Sequence, residues 1–182
     1  VPGNHQGWNP STAPKIAASG FGLTDYEGYV YLNGGHKFVG PDTAGNYNWG
    51  NTDWGDNGSF AGILAVTGES DCTATAGYYR IQANTTTLTY SETLTNWGIV
   101  GAATPGGWNN STALTYNSST KKWEGTVTLT AGAFKFRANN DWGLNYGDNG
   151  ADASLEEGGS NIAVATTGNY LVELDLSNPR AY

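Results

Sequence analysis

Cysteine is nearly missing from these 182 residues: Cys72 stands alone, so no internal disulfide and no cysteine-built metal site can form. We read it as a free thiol in a loop. Basic residues are scarce as well, 8 against 16 acidic ones, for a formal charge of -8. Nucleic-acid binding needs clustered Lys and Arg to neutralise phosphates, and so few cations cannot supply it; anionic membranes are disfavoured likewise. No apolar run approaches the roughly 20 residues that cross a bilayer, so no membrane insertion by this segment is expected. Two histidines and one cysteine cannot furnish a Ser-His-Asp or Cys-His set twice over. The opening Val1-Pro2-Gly3-Asn4 lacks the charged-then-apolar pattern of a signal peptide. We therefore expect the segment to lie inside a mature protein, with a first strand cut short at Val1.

What is abundant is glycine, with 27 residues, and aromatics, at 13%. Together with recurrent Thr and Asn, this is the composition of an all-β chain rich in turns. The chain also repeats itself. Gly7-Trp8-Asn9-Pro10-Ser11-Thr12-Ala13 returns as Gly107-Trp108-Asn109-Asn110-Ser111-Thr112-Ala113. Tyr26 to Leu32 returns as Trp123 to Leu129, Lys37-Phe38 as Lys135-Phe136, Trp49-Gly50 as Trp142-Gly143, and Gly55-Asp56-Asn57-Gly58 as Gly147-Asp148-Asn149-Gly150. Matches in one unbroken order mean tandem copies of one domain, 1–93 and 94–182. Short alternating strands separated by Gly/Asn turns predict that each copy is an antiparallel β-sandwich.

In the first copy the pattern predicts strands over Tyr26–Leu32, His36–Val39, Gly77–Asn84 and Thr87–Tyr90, with loops dominating between Gly40 and Ala76. Val30 and Leu32 should face inward, and Glu27, Tyr29 and Tyr31 outward. In the second copy the strands fall at Trp97–Ala102, Trp123–Thr130, Phe134–Ala138 and Gly168–Leu176. No helical period is evident.

Strand alternation also locates the candidate site. In Phe134-Lys135-Phe136-Arg137 both rings point one way and both cations the other. Trp108 precedes this strand in a Gly-rich turn, and Trp142 leaves it through Asn139, Asn140 and Asp141. The first copy repeats the set as Trp8, Lys37 and Trp49, with Val39 in place of the Arg. A core Trp sits within a strand's alternation, whereas these lie in loops, so we expect exposed platforms. Trp54, Tyr146, Trp97 and Trp123 are expected to pack. A flat ring meets the C–H face of a sugar, and Lys, Arg and Asn bond hydroxyls directionally. The D-N-G turns at Asp56 and Asp148 lack metal-loop spacing, so no metal or cofactor is predicted. Hydrolysis would require two carboxylates facing across a cleft. Glu27 and Glu124 recur, but neither has a matched partner aimed at it, so no catalytic residue is assigned.

The segments Val1–Pro14, Tyr26–Leu32, Trp97–Trp108 and Phe134–Trp142 resemble the tandem C-terminal domains of the SusE and SusF starch-binding lipoproteins of Bacteroidetes. The resemblance covers nearly the whole chain. It implies non-catalytic β-sandwich domains at the cell surface, held to the outer membrane by a lipid anchor outside this segment. It further implies starch or a related polysaccharide as ligand and an outer-membrane uptake complex as partner. Trp108, Trp142 and Lys135 would grip glucose, assisted by Arg137 and Asn139 or Asn140, with Trp8, Trp49 and Lys37 doing so in the first copy. The rival reading is an assembly module whose exposed rings contact a porin.

Overall fold

A computed structural model describes all residues, 1–182. It contains antiparallel sheets, two short 3-10 turns at Asn4–Gln6 and Pro10–Thr12, and no α-helix. The chain divides into two compact units, Val1–Leu94 and Thr95–Tyr182.

In the first unit a four-stranded sheet runs in the order β1 (Ala17–Ala18), β2 (Asp25–His36), β6 (Cys72–Asn84), β7 (Thr89–Leu94). A three-stranded sheet holds β3 (Phe38–Val39), β4 (Asp53–Asp56) and β5 (Leu64–Ala65). The core joins Val30, Leu32, Tyr79 and Ile81 of the first sheet to Phe38 and Leu64 of the second. The long strand β2 changes register between Leu32 and Gly34. Such a bulge bends a strand, and Gly34 at φ 100° takes a backbone shape that a side chain resists.

The second unit pairs β10 (Thr115–Asn117), β11 (Lys122–Leu129) and β16 (Gly168–Leu174) in one sheet. The other is built on β12 (Gly132–Ala138), flanked by β8 (Trp97–Val100) and β13 (Asn145–Gly147), with β9 (Thr112–Ala113) beyond β8, β14 (Glu156–Glu157) beyond β13, and β15 (Ile162–Val164) paired with the first half of β12 itself. Trp97 stacks on Tyr146 at 5.4 Å, and Phe134 meets Phe136 edge-on at 5.5 Å. Trp97, Trp123 and Tyr146 are buried, as their strand positions predict.

Loops dominate from Gly40 to Ala76, as expected, but β4, β5 and the start of β6 also form there; Asp and Gly in β4 hide its period, and β5 is only two residues long. Two expectations need correction. Cys72 lies in β6, fully buried, and burial pushes its thiol up to about 12, so it is an inert core residue. Glu27 and Tyr29 do not face water. Arg80 on the neighbouring strand donates to Glu27 at 2.7 Å, and Tyr29 stacks with Tyr78 at 6.0 Å, so polar and aromatic partners close that face.

The Asp56 turn is structural chemistry of a specific kind. Its buried carboxylate accepts the Gly58 and Phe60 N–H groups at 2.7 and 2.8 Å and the Tyr90 hydroxyl at 2.7 Å. Burial alone would raise this carboxyl, but the hydrogen bonds from Phe60, Tyr90 and Gly58 outweigh it and hold it below the usual value. A depressed folded pKa means stability that is present above the unfolded pKa, about 3.9, and lost as pH falls through the folded value. We predict that Asp56→Asn lowers stability by about 1–3 kcal/mol at neutral pH, read by denaturant unfolding. The same change at Asp148, whose acceptors serve only backbone N–H groups of an exposed turn, should cost less.

Candidate glycan-binding surface

Both units carry the same arrangement of rings. Trp108 and Trp142 lie with centroids 6.1 Å apart and planes inclined at 31°. Trp8 and Trp49 repeat this at 6.1 Å and 39°. Trp49, Trp108 and Trp142 are 45, 40 and 46% exposed, while Trp8 is half-buried. A large ring left this open at matched loop positions is not completing a core.

Each pair is held by a different device. In the first unit Trp8 sits at φ 62°, a left-handed conformation that costs a non-glycine residue about 1–2 kcal/mol. Its backbone N–H donates to the Gly3 carbonyl at 3.0 Å and its indole to Asn4 Oδ1 at 2.7 Å. Trp49 in turn donates its indole N–H to the Trp8 carbonyl at 3.0 Å, tying one ring to the other. A Cβ on Gly34 would lie 2.5 Å from the Asn4 amide, so the bulge glycine also makes room for the residue that anchors Trp8.

In the second unit the organiser is Arg137, almost fully buried. It donates to Ser111 Oγ at 2.9 Å, to the Asn109 carbonyl at 3.3 Å and to Asn140 Oδ1, while its guanidinium lies 4.8 Å from the Trp142 ring centre. One cation thereby spans the loop that bears Trp108 and the loop that bears Trp142. Asn139 and Asn140 occupy consecutive left-handed positions at φ 52° and 54°, which asparagine tolerates better than most residues. Their side-chain carbonyls accept the N–H groups of Asn96 and Ser111 at 2.8 and 2.9 Å. Those oxygens brace the loops and are not presented to a ligand. Their expected assisting role is thus indirect on the acceptor side.

Each lysine directly precedes a buried Phe, Phe38 or Phe136, yet their surroundings differ. Lys37 donates to Glu69 at 2.7 Å and to Asp53 at 3.3 Å. Burial alone would lower it, but the bonds to Glu69 and Asp53 raise its pKa above the ordinary lysine value. Lys135 is only 9% exposed and has neither an ion pair nor a hydrogen bond from the protein. Burial holds its pKa below the ordinary value. The Asp53–Lys37–Glu69 cluster escaped the reading of the sequence, because its members lie 16 and 32 positions apart and only the fold of β4 and the Glu69 loop brings them together.

The recurrent glutamates are both spoken for. Glu27 is held by Arg80 and by the Gln82 amide at 3.0 Å. Glu124 accepts from Thr120 and, at 3.1 Å, from Asn117, and these bonds keep its carboxyl below the usual value. Both carboxylates are thus engaged by donors of their own sheet and its turns.

Comparison with known proteins adds a distant likeness. No family profile matches the chain, and no curated relative matches it. Among solved structures it is similar to SusF from Bacteroides thetaiotaomicron, at 17% sequence identity and a TM-score of 0.38. That alignment covers 95% of this chain and 45% of SusF, so the chain spans less than half the length of that protein.

Asn140 is the residue on which the second unit's geometry can be tested. Asn140→Ala leaves the Ser111 N–H and the Arg137 guanidinium without their shared acceptor, and we expect a loss of about 1–3 kcal/mol in stability. The near-ultraviolet circular dichroism of the Trp108–Trp142 pair should weaken, with far-ultraviolet strand signal retained.

Proposed function

We propose that this protein binds a glycan without cleaving it, using the Trp108–Trp142 pair of the second unit as its main platform. The observation that carries this reading is the recurrence, in two units with different supporting bonds, of a half-exposed, tilted indole pair 6.1 Å apart. Different scaffolding around the same ring geometry points to the rings themselves as the common requirement. Arg137 occupies one face of Trp142, which rigidifies that ring and leaves its other face for a sugar. Lys135 supplies an uncommitted donor on the same strand face, two residues before Arg137.

The sequence motifs shared with the SusE and SusF proteins support an α-1,4-glucan of the starch type as ligand. They also support a place at the cell surface, delivering polysaccharide to an outer-membrane uptake complex. Two rings inclined to one another suit a curved glucan better than a flat ribbon. Asn109 and Asn110, which follow Trp108 in its loop, are exposed, which favours a hydroxylated ligand over a protein partner.

Titration calorimetry with maltoheptaose tests the reading. Trp108→Ala or Trp142→Ala should weaken binding by roughly tenfold or more, since an aromatic contact contributes about 0.5–1.5 kcal/mol beyond the area it buries. The melting temperature should stay near wild type, because neither ring is core. Unchanged affinity with lost stability would reverse the assignment. Day-long incubation with soluble starch should release no reducing ends.

A further inference from the structure

The two units match in strand register around their lysines. Val39 pairs with Asp53 across β3 and β4 as Arg137 pairs with Asn145 across β12 and β13. The Asp56 N–H donates to the Ser70 carbonyl at 2.8 Å as the Asp148 N–H donates to the Ser160 carbonyl at 2.9 Å. The counterpart of Asp53 is therefore Asn145, and the counterpart of Glu69, which precedes Ser70, is Gly159. Both carboxylates that surround Lys37 have been replaced around Lys135, one by an amide and one by no side chain at all.

Gly159 is also closed to a carboxylate by space. A Cβ there would stand 2.8 Å from the Gly147 carbonyl and 2.9 Å from that of Glu156. The Asn145 amide donates to the Trp142 carbonyl at 3.0 Å, so it serves the platform loop instead of a lysine.

We propose that Asp53 and Glu69 are positioning residues that decide what the first unit's site can do, a refinement that rests on the glycan-binding reading above. They hold the Lys37 ammonium in a two-carboxylate clamp, whereas Asn145 and Gly159 leave the Lys135 ammonium to the ligand. An ammonium bonded to two carboxylates gains little by exchanging one of them for a neutral hydroxyl, because ion–ion hydrogen bonds are the stronger kind. The first unit thus engages neutral glucan by its Trp8–Trp49 rings alone. The second adds a charged donor whose burial, without a counter-ion, is relieved when sugar oxygens accept from it. The absence of an Arg at Val39 contributes to the same asymmetry, but the clamp is the part that can be undone by isosteric changes.

The test uses the full chain with maltoheptaose as probe. With the second unit silenced by Trp108→Ala and Trp142→Ala, the pair Asp53→Asn and Glu69→Gln should tighten binding by about fivefold, the net effect of one typical hydrogen bond. Adding Lys37→Met should abolish that gain, which a merely structural effect of the carboxylates would not require. With the first unit silenced by Trp8→Ala and Trp49→Ala, Lys135→Met should weaken binding by about fivefold or more. No gain on removing the carboxylates, or a gain that survives Lys37→Met, overturns the proposal. A second arm needs no glycan: in protein carrying 13C-labelled lysine, Lys37 should titrate above the ordinary lysine value and Lys135 below it. Asp53→Asn with Glu69→Gln should bring Lys37 down. If wild type fails to bind maltoheptaose while the titrations behave as stated, the glycan reading falls and the clamp stands. If Lys37 titrates at or below Lys135, the clamp itself is wrong.

Discussion

The period of two along a β-strand is the constraint on which everything else here depends. In β12 it sends Phe134 and Phe136 into the core, and burying those rings fixes the opposite face, and with it the direction of Lys135 and Arg137, without further instruction. A slip of one residue would turn both rings to the opposite face of the sheet and both cations into the core. The platform geometry is therefore underwritten by hydrophobic burial on the far side of the same strand. Arg137 then converts strand direction into loop position, because its guanidinium reaches the loops on both sides and one indole face.

The charges around the lysines show how one scaffold can give two different sites. In an acidic protein the default for an enclosed ammonium is a carboxylate partner, and Lys37 follows it. Lys135 departs from it, and the departure is written into Asn145 and Gly159. Removing a buried ion's partners raises its cost to the folded state, so the arrangement makes physical sense where a ligand supplies the missing acceptors.

Much of this was legible in the sequence. The repeat, the strand alternation at Phe134–Arg137 and the loop placement of Trp8, Trp49, Trp108 and Trp142 follow from spacing alone, and the structure places these rings in two matched pairs. What spacing could not reveal was anything made by chain segments distant in order. The strand β4 carries Asp and Gly where a period would show, β5 is two residues long, too short for any period, and Cys72 reads as a loop residue because β6 begins in a Thr/Ala run. Tyr29 reads as exposed because its partner Tyr78 lies across a strand 49 positions on. The lysine clamp belongs to the same class. Nothing near Lys37 in the sequence announces Asp53 or Glu69, and its contrast with Lys135 rests on the matched strand registers of the two units.

The central claim is that the tilted Trp108–Trp142 pair is a ligand platform while Trp97 and Trp123 are core. The indole N–H groups report this directly in a 15N-edited NMR titration of the full chain with maltoheptaose. The account predicts that the Trp108 and Trp142 indole resonances move together with added oligosaccharide, those of Trp8 and Trp49 move less and later, and those of Trp97 and Trp123 stay in place. Stationary Trp108 and Trp142 signals at saturating maltoheptaose, or shifts confined to the core indoles, would contradict it.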